Sequence, residues 1–376
     1  FFSITGFILL IDPQNIFRII NIKGINRIKP FVHHGGMRET KSLDLEIGQY
    51  DTLILGTSRA RGIQISHPFF DNRVTYNAAL DGANFYEIYE VFKFSIEHNP
   101  IKTIVLGLDV QSFTDARKGI KSFYESRFAN KNILISNIQD LTSPTMLERS
   151  IETVRANFDS TEEIVSTDAD QVFQETGKTA NYTKRFQEVN LVKPLPPGAI
   201  YNSPQRFELL EDLIRTALDN NIELFLYISP VHARNLEDIR LSGLYPEFED
   251  WKRLMVDVVA RVNQDYAARN PVALWDFSGY NSITSEEFYQ KWYWDKSHYK
   301  RTIGDMILDV MISKSGRDES APADFGVNID QTNIESHLQS IRQDQSNYHQ
   351  TFNDEIKKLE KIAAAERAST GNPNAD

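Results

Sequence analysis

The chain has no cysteine in 376 residues, which excludes disulfides, thiolate metal sites and a cysteine nucleophile. That absence leaves the compartment open, because proteins of the bacterial periplasm also do without cysteine. Positive charge is in short supply too: the formal net charge is −11, against an electrostatic nucleic-acid binder, which needs a basic face. No phosphate-cradling glycine loop and no dinucleotide fingerprint occurs. His33 and His34 adjoin Gly35 and Gly36 with no acidic pair in register, so no metal and no cofactor is expected.

Apolar residues are plentiful, at 41% with 11% aromatic, enough for one large α/β domain with an appendage or for two modest domains. The N-terminal "FFSITGFILLIDP" holds an apolar run of 11 residues, where a membrane span needs about 20. It starts without Met and is expected to be the end of a longer transmembrane anchor with its exit segment, residues 1–20; a buried helix of the domain is the other reading. Arg18, Lys23, Arg27 and Lys29 follow, a flank that weakly favours a cytoplasmic side.

Five short apolar runs are continuous rather than alternating, as buried parallel strands are: 52–57, 74–79, 103–110, 222–229 and 272–277. Helical patterns lie between them at 84–99, 203–221 and 247–270, the second opening on Ser203 as cap and Pro204 as first helical residue. This alternation predicts an α/β fold with a doubly wound, mainly parallel, five-stranded sheet over 21–312, its ligands bound outside the carboxyl ends of the strands. An insertion at about 111–200 breaks the rhythm, with a helix near 145–158 and an ending in "KPLPPG". It suits a lid, a substrate wall or a passive elaboration equally. Residues 313–330 read as a linker, 331–367 as an amphipathic helix, and 368–376 as a disordered tail. The helix carries Ile334, Leu338, Ile341, Tyr348, Phe352, Leu359 and Ile362 in a narrow stripe interrupted by Gln345. Such a stripe serves a coiled coil, a partner, or docking back on its own domain.

"YDTLILGTSRARGI" (50–63) runs from a buried strand into a polar turn that opens a helix. Ser58 at that turn is either a helix cap or a nucleophile beside free backbone amides, where an oxyanion would be favoured. Far downstream, "YWDKSHYK" (293–300) holds Asp295 and His298 on a loop leading into the helix "RTIGDMILDVMI". A carboxylate three residues before a histidine can turn back and orient the imidazole, which then takes a proton from a serine hydroxyl. "YISPVHARN" (227–235) ends the fourth strand at the same sheet edge, making His232 and Arg234 candidate contacts for an anionic sugar or an acyl donor. Trp292, Tyr293 and Trp294 form an aromatic rim beside Asp295, suited to carbohydrate or to core packing.

Over residues 50 to 312, "LILGTSRA", the glycine of "LDGANFYE" and "DKSH" resemble the first, second and fifth blocks of the SGNH (GDSL-like) hydrolase superfamily. The resemblance implies a three-layer α/β/α, flavodoxin-like fold. It implies Ser58 as nucleophile and amide donor, Gly82 as a second oxyanion donor, and Asp295 and His298 as the rest of a triad. The third block departs from the pattern: "GLDV" puts Asp109 where the superfamily has asparagine. Asp109 is then protonated, or replaced as donor by Asn84 or another group, or engaged elsewhere, for instance with Arg59 or Arg61. By architecture the chain resembles the membrane-tethered SGNH-like proteins of bacterial envelopes, such as the alginate acetylation proteins and the D-alanyl transfer protein of teichoic acid synthesis. That likeness implies a single-pass anchor, a domain outside the cytoplasmic membrane, a membrane-bound O-acyltransferase or another envelope protein as partner, and a polysaccharide substrate. The expected activity is O-acetyl transfer or O-acetylester hydrolysis, with a catalytically inactive membrane-anchored scaffold as the alternative.

Overall fold

The computed structural model describes residues 2–31, 36–114, 119–129, 144–159, 201–266, 271–287, 291–313 and 321–370. His33 and His34, much of the 111–200 insertion with its "KPLPPG", most of the expected linker and the last six residues lie outside the described residues.

The chain forms two compact units. The first comprises residues 1–50, 90–100 and 119–177. It contains α1 (Phe2–Ile11), α2 (Met37–Ile47), the second half of α3 (Phe85–His98), α4 (Lys121–Glu125) and α5 (Pro144–Asp159). Asn26 ties the loop after α1 together, its amide donating to the carbonyls of Leu10 (2.8 Å) and Ile20 (3.0 Å). Asn157 on α5 clamps the Ile28 backbone, accepting its N–H at 2.7 Å and donating to its carbonyl at 2.8 Å. Among the described residues no helix is long and apolar enough to cross a membrane.

The second unit, residues 51–89, 101–118 and 178–376, is a mixed α/β structure built on a mainly parallel sheet. Its strands are β1 (Thr52–Leu55), β2 (Thr75–Asn77), β3 (Thr103–Leu108), β4 (Glu223–Ile228), β5 (Leu274–Asp276) and β6 (Val327–Ile329). Between and after them come α6 (Pro204–Asp219), α7 (Ala233–Leu241), α8 (Tyr245–Asp265), α9 (Arg301–Ile312), α10 (Ile334–Thr351) and α11 (Asn353–Thr370). The sheet order is β2-β1-β3-β4-β5-β6, parallel throughout except that β6 runs antiparallel to β5. Every residue of β1 and β3 is buried, which is why their sequences are unbroken apolar runs.

The expected count of five strands is therefore one short. β6 is three residues long and pairs Leu274 with Ile329 at the sheet edge. It sits inside a stretch whose composition is that of a linker, and three residues are too few to display an alternation. The single helix expected over 331–367 is instead two, with Phe352 between them at φ −109°, ψ 34°. Both helices pack on their own unit: Ile334, Leu338, Ile341, Tyr348, Ile356, Leu359 and Ala363 are buried. Gln345, the polar break in the stripe, donates to the Tyr280 hydroxyl at 2.8 Å.

The corner after β1 depends on glycine. Gly56 has φ +143°, and a Cβ there would lie 2.8 Å from the Ala60 Cβ and 2.9 Å from the Gly107 carbonyl oxygen. The helix α9 comes in more closely still, since a Cβ on Gly304 would overlap the Gly62 carbonyl oxygen.

Candidate active site

β1 ends at Leu55 and the chain turns at Gly56 into a short 3-10 helix, Ser58–Gly62. Thr57 is the cap of that helix, its side-chain oxygen accepting from the Arg59 N–H at 3.4 Å. Ser58 is thus the first residue of the turn, and its hydroxyl is left for another partner. That partner is His298, whose Nε2 lies 2.9 Å from the Ser58 Oγ.

Asp295 and His298 occupy the tip of a tight hairpin. The Lys300 N–H donates to the Trp292 carbonyl at 2.7 Å and the Trp294 N–H to the His298 carbonyl at 2.8 Å. Within the tip, Asp295 Oδ1 accepts the N–H groups of Ser297 (2.7 Å) and His298 (2.8 Å), folding the carboxylate back over the turn. Both carboxylate oxygens lie 3.0 Å from His298 Nδ1. Burial pushes this carboxyl up, but the hydrogen bond and charge of His298 and the two backbone N–H groups outweigh it and hold it at about 2. An ionised Asp295 accepts only, so Nδ1 carries a proton, and in the neutral imidazole Nε2 then presents its lone pair to the Ser58 hydroxyl.

The hairpin is fastened on two sides. Lys296 pairs with Asp238 of α7 at 2.5 Å, and its carbonyl accepts the His232 N–H at 3.2 Å. On the other side, Arg59 Nε donates to the Ser297 carbonyl at 3.0 Å and Nη2 to the Ser297 Oγ at 2.7 Å. The remaining arm of Arg59, Nη1, donates to Asp109 Oδ1 at 2.8 Å, and the Thr57 hydroxyl donates to Asp109 Oδ2. Of the roles open to Asp109 from the sequence, the structure displays the bond to Arg59; Arg61 pairs with Asp81 instead, at 2.7 Å.

The oxyanion candidates separate. The Leu80 N–H bonds the Gly56 carbonyl at 3.0 Å, which brings the loop 80–84 beside the end of β1. Gly82 in that loop has φ +63°, with no atom within 4 Å of where a Cβ would stand. Among the described residues, neither the Ser58 N–H nor the Gly82 N–H donates to a protein acceptor, so both are available to an anion. Asn84 is buried and caps α3, its Oδ1 accepting the Glu87 N–H at 2.9 Å.

The expected substrate contacts on the fourth-strand loop are interior groups. His232 is fully buried and caps α7: Nδ1 accepts the Arg234 N–H at 3.1 Å and Nε2 donates to the Glu286 carbonyl at 2.9 Å. Burial, with the nearby Arg234 charge, pushes it down to about 4 against the bond to Glu286. Arg234 is buried as well, with Nε 3.7 Å from Glu355 of α11. A solute at Ser58 therefore meets neither. Trp294 is half-buried, with the Lys300 ammonium 4.8 Å from its ring centroid, and Tyr293 belongs to the core. No group of side chains able to hold a metal ion occurs among the described residues.

Ser297, Lys296, Asp238 and Thr57 escape sequence reasoning because each is an ordinary polar residue made important by a partner far away in the chain. The one available signal was the arginine directly after Ser58. No protein-family profile matches the chain, and a comparison with curated proteins finds no match.

Proposed function

We propose that the chain is a serine-dependent acyl-ester enzyme, an O-acetyltransferase or O-acetylesterase acting on a bacterial cell-envelope polysaccharide. The observation that carries this reading is the continuous chain Ser58 Oγ, His298 Nε2, His298 Nδ1, Asp295, with spacings of 2.9 and 3.0 Å. In the first half-reaction the Ser58 oxygen bonds to the acyl carbonyl carbon while its proton passes to His298 Nε2. The Ser58 and Gly82 N–H groups receive the oxyanion, and Asp295 holds the imidazolium. Collapse expels the alkoxide, which takes the proton from His298 and leaves an acyl ester on Ser58. In the second half-reaction His298 deprotonates water or a sugar hydroxyl, that oxygen bonds to the acyl carbon, and the Ser58 Oγ–acyl bond breaks as Oγ recovers the proton from His298. Trp294 beside the triad supplies an aromatic face for a sugar ring.

The order β2-β1-β3-β4-β5 of the parallel strands is the flavodoxin-like order, which supports a three-layer α/β/α, SGNH-type reading of the fold. Ser58 then stands at a carboxyl edge beside the point where the strand order reverses, where ligands of such folds bind. On the sequence resemblance, we place the domain on the outer side of the bacterial cytoplasmic membrane, held by a single-pass anchor. A membrane-bound O-acyltransferase or another envelope protein would be the partner.

One observation favours a second reading. Asp109, at the position where the superfamily has an oxyanion-hole amide, is a carboxylate occupied by Arg59 and Thr57. An inactive, membrane-anchored scaffold fits that substitution. Incubation with p-nitrophenyl acetate and with a fluorophosphonate probe separates the two. The enzyme reading expects turnover and covalent labelling that Ser58→Ala abolishes; wild type no more reactive than the variant would leave the scaffold.

A further inference from the structure

Asp109 and Arg59 are 3% and 5% exposed, and together they join three parts of the site. Asp109 directly follows β3, Arg59 directly follows Ser58, and Ser297 directly precedes His298. One guanidinium thus bonds the β3 end through Nη1 and the histidine hairpin through Nε and Nη2, while lying on the serine turn itself. The carboxylate in turn holds Thr57, the cap of that turn.

We propose that the Arg59–Asp109 pair is a positioning device that sets the Ser58–His298 separation, a role that rests on the acyl-ester reading of the same site. The argument is geometric. Three N–H vectors of a planar guanidinium are used at once, in directions a lysine ammonium on a flexible stem cannot reproduce. Every nitrogen of the guanidinium and both oxygens of the carboxylate carry a hydrogen bond, and such saturation favours one arrangement of a buried ion pair. Its two charges offset one another, so the carboxylate does not present an uncompensated negative charge to an oxyanion at Ser58. The consequence runs against simple consensus reasoning. Asp109→Asn installs the residue the resemblance implies, yet it takes the counter-charge from a buried arginine, and the site should become slower.

The test uses the full chain and the variants Asp109→Asn, Arg59→Lys, Arg59→Met with Asp109→Leu, and Ser297→Ala, each checked for folding by circular dichroism. Fluorophosphonate labelling of Ser58 is resolved into probe affinity and maximal rate. The downfield proton resonance of the His298 Nδ1–H is recorded in parallel, because it reports the hairpin whether or not chemistry occurs. The expected result is a maximal rate down about 10²-fold in Asp109→Asn and Arg59→Lys with affinity little changed, the scale of a displacement of about 1 Å. The double variant should lose no more than the worse single one. Ser297→Ala, which removes a single acceptor and should fold normally, should lose about tenfold, in line with one hydrogen bond to a charged group. Labelling rates within twofold of wild type in all these variants overturn the proposal. A wild type that does not label refutes the acyl-ester reading instead, and the resonance then decides. Its loss or shift in the folded variants supports the positioning role, and its persistence unchanged overturns it.

Discussion

The Ser58 hydroxyl and the His298 imidazole meet at 2.9 Å across 240 positions of sequence. The contact depends on two stiffened pieces that Arg59 links: a serine turn strapped to the end of β3 through Thr57 and Asp109, and a hairpin pinned by Lys296 and Arg59. The Ser58 hydroxyl has no capping duty to compete with this, since Thr57 performs it.

Removal of either member should therefore abolish chemistry and spare the fold. Ser58→Ala and His298→Gln are expected to reduce any esterase kcat by about 10⁶, the scale seen when a triad member is lost. The thermal midpoint should stay near that of wild type, because Ser58 and His298 are only partly buried. Steady-state kinetics beside a melting curve provide the check.

Asp295→Asn is expected to behave differently. An amide can donate to Nδ1 and stabilise the wrong tautomer, so kcat should fall by about 10⁴ with the geometry kept. Stability should change too. The carboxyl is held at about 2 in the folded chain against 3.8 otherwise, so the unfolded chain binds its proton first as pH falls. Its stabilising contribution is present above pH 3.8 and disappears as pH drops toward 2, a change of about 2 kcal/mol. The variant should lack that step in urea titrations run across the acid range.

His232 predicts a pH effect at a higher range. Its Nδ1 faces the Arg234 N–H and leaves no room for a second proton. With the group at about 4 folded and 6.5 otherwise, the unfolded chain takes up a proton below pH 6.5 that the folded chain refuses. Stability should thus decline between pH 6.5 and about 4, by about 3 kcal/mol in total, and then level off for this group. His232→Asn keeps a capping acceptor without a titrating ring, and chemical denaturation should show the slope flattened.

Lys252 and Asp276 are both buried, 2.6 Å apart, and His337 of α10 adds a bond to the same carboxylate at 2.9 Å. Lys252→Met leaves that carboxylate short of its cation and should cost about 3–5 kcal/mol. The double variant with Asp276→Leu should recover part of the loss. Equilibrium unfolding of both variants measures the difference, and a single variant as stable as wild type would contradict the buried pairing.

Much of this architecture is legible in the sequence. The five parallel strands stand out because strands covered by other chain elements have no reason to alternate, and their helices carry regular apolar spacing. Ser58 and the Asp295–His298 pair are readable because strand-to-turn serine and D-x-x-H are local patterns. The misplaced readings have a common cause. His232 and Arg234 look like loop residues open to a ligand until α11 arrives from far downstream to cover Arg234. The Gln345 break in the amphipathic stripe makes sense only once Tyr280 faces it. Local chemistry is written locally, whereas burial by a distant element is not.

The antiparallel strand β6 has a practical consequence for dissecting the chain. It shields the outer edge of β5, pairing Leu274, Trp275 and Asp276 with Ile329, Asn328 and Val327. A fragment ended after α9, where composition invites a cut, keeps Ser58, Asp295 and His298 but bares a row of unpaired backbone donors and acceptors beside Trp275. Such an edge recruits strands from neighbouring molecules. That fragment would self-associate and precipitate, and its inactivity would say nothing about Ser58. Expression trials on this protein should carry the chain through α11.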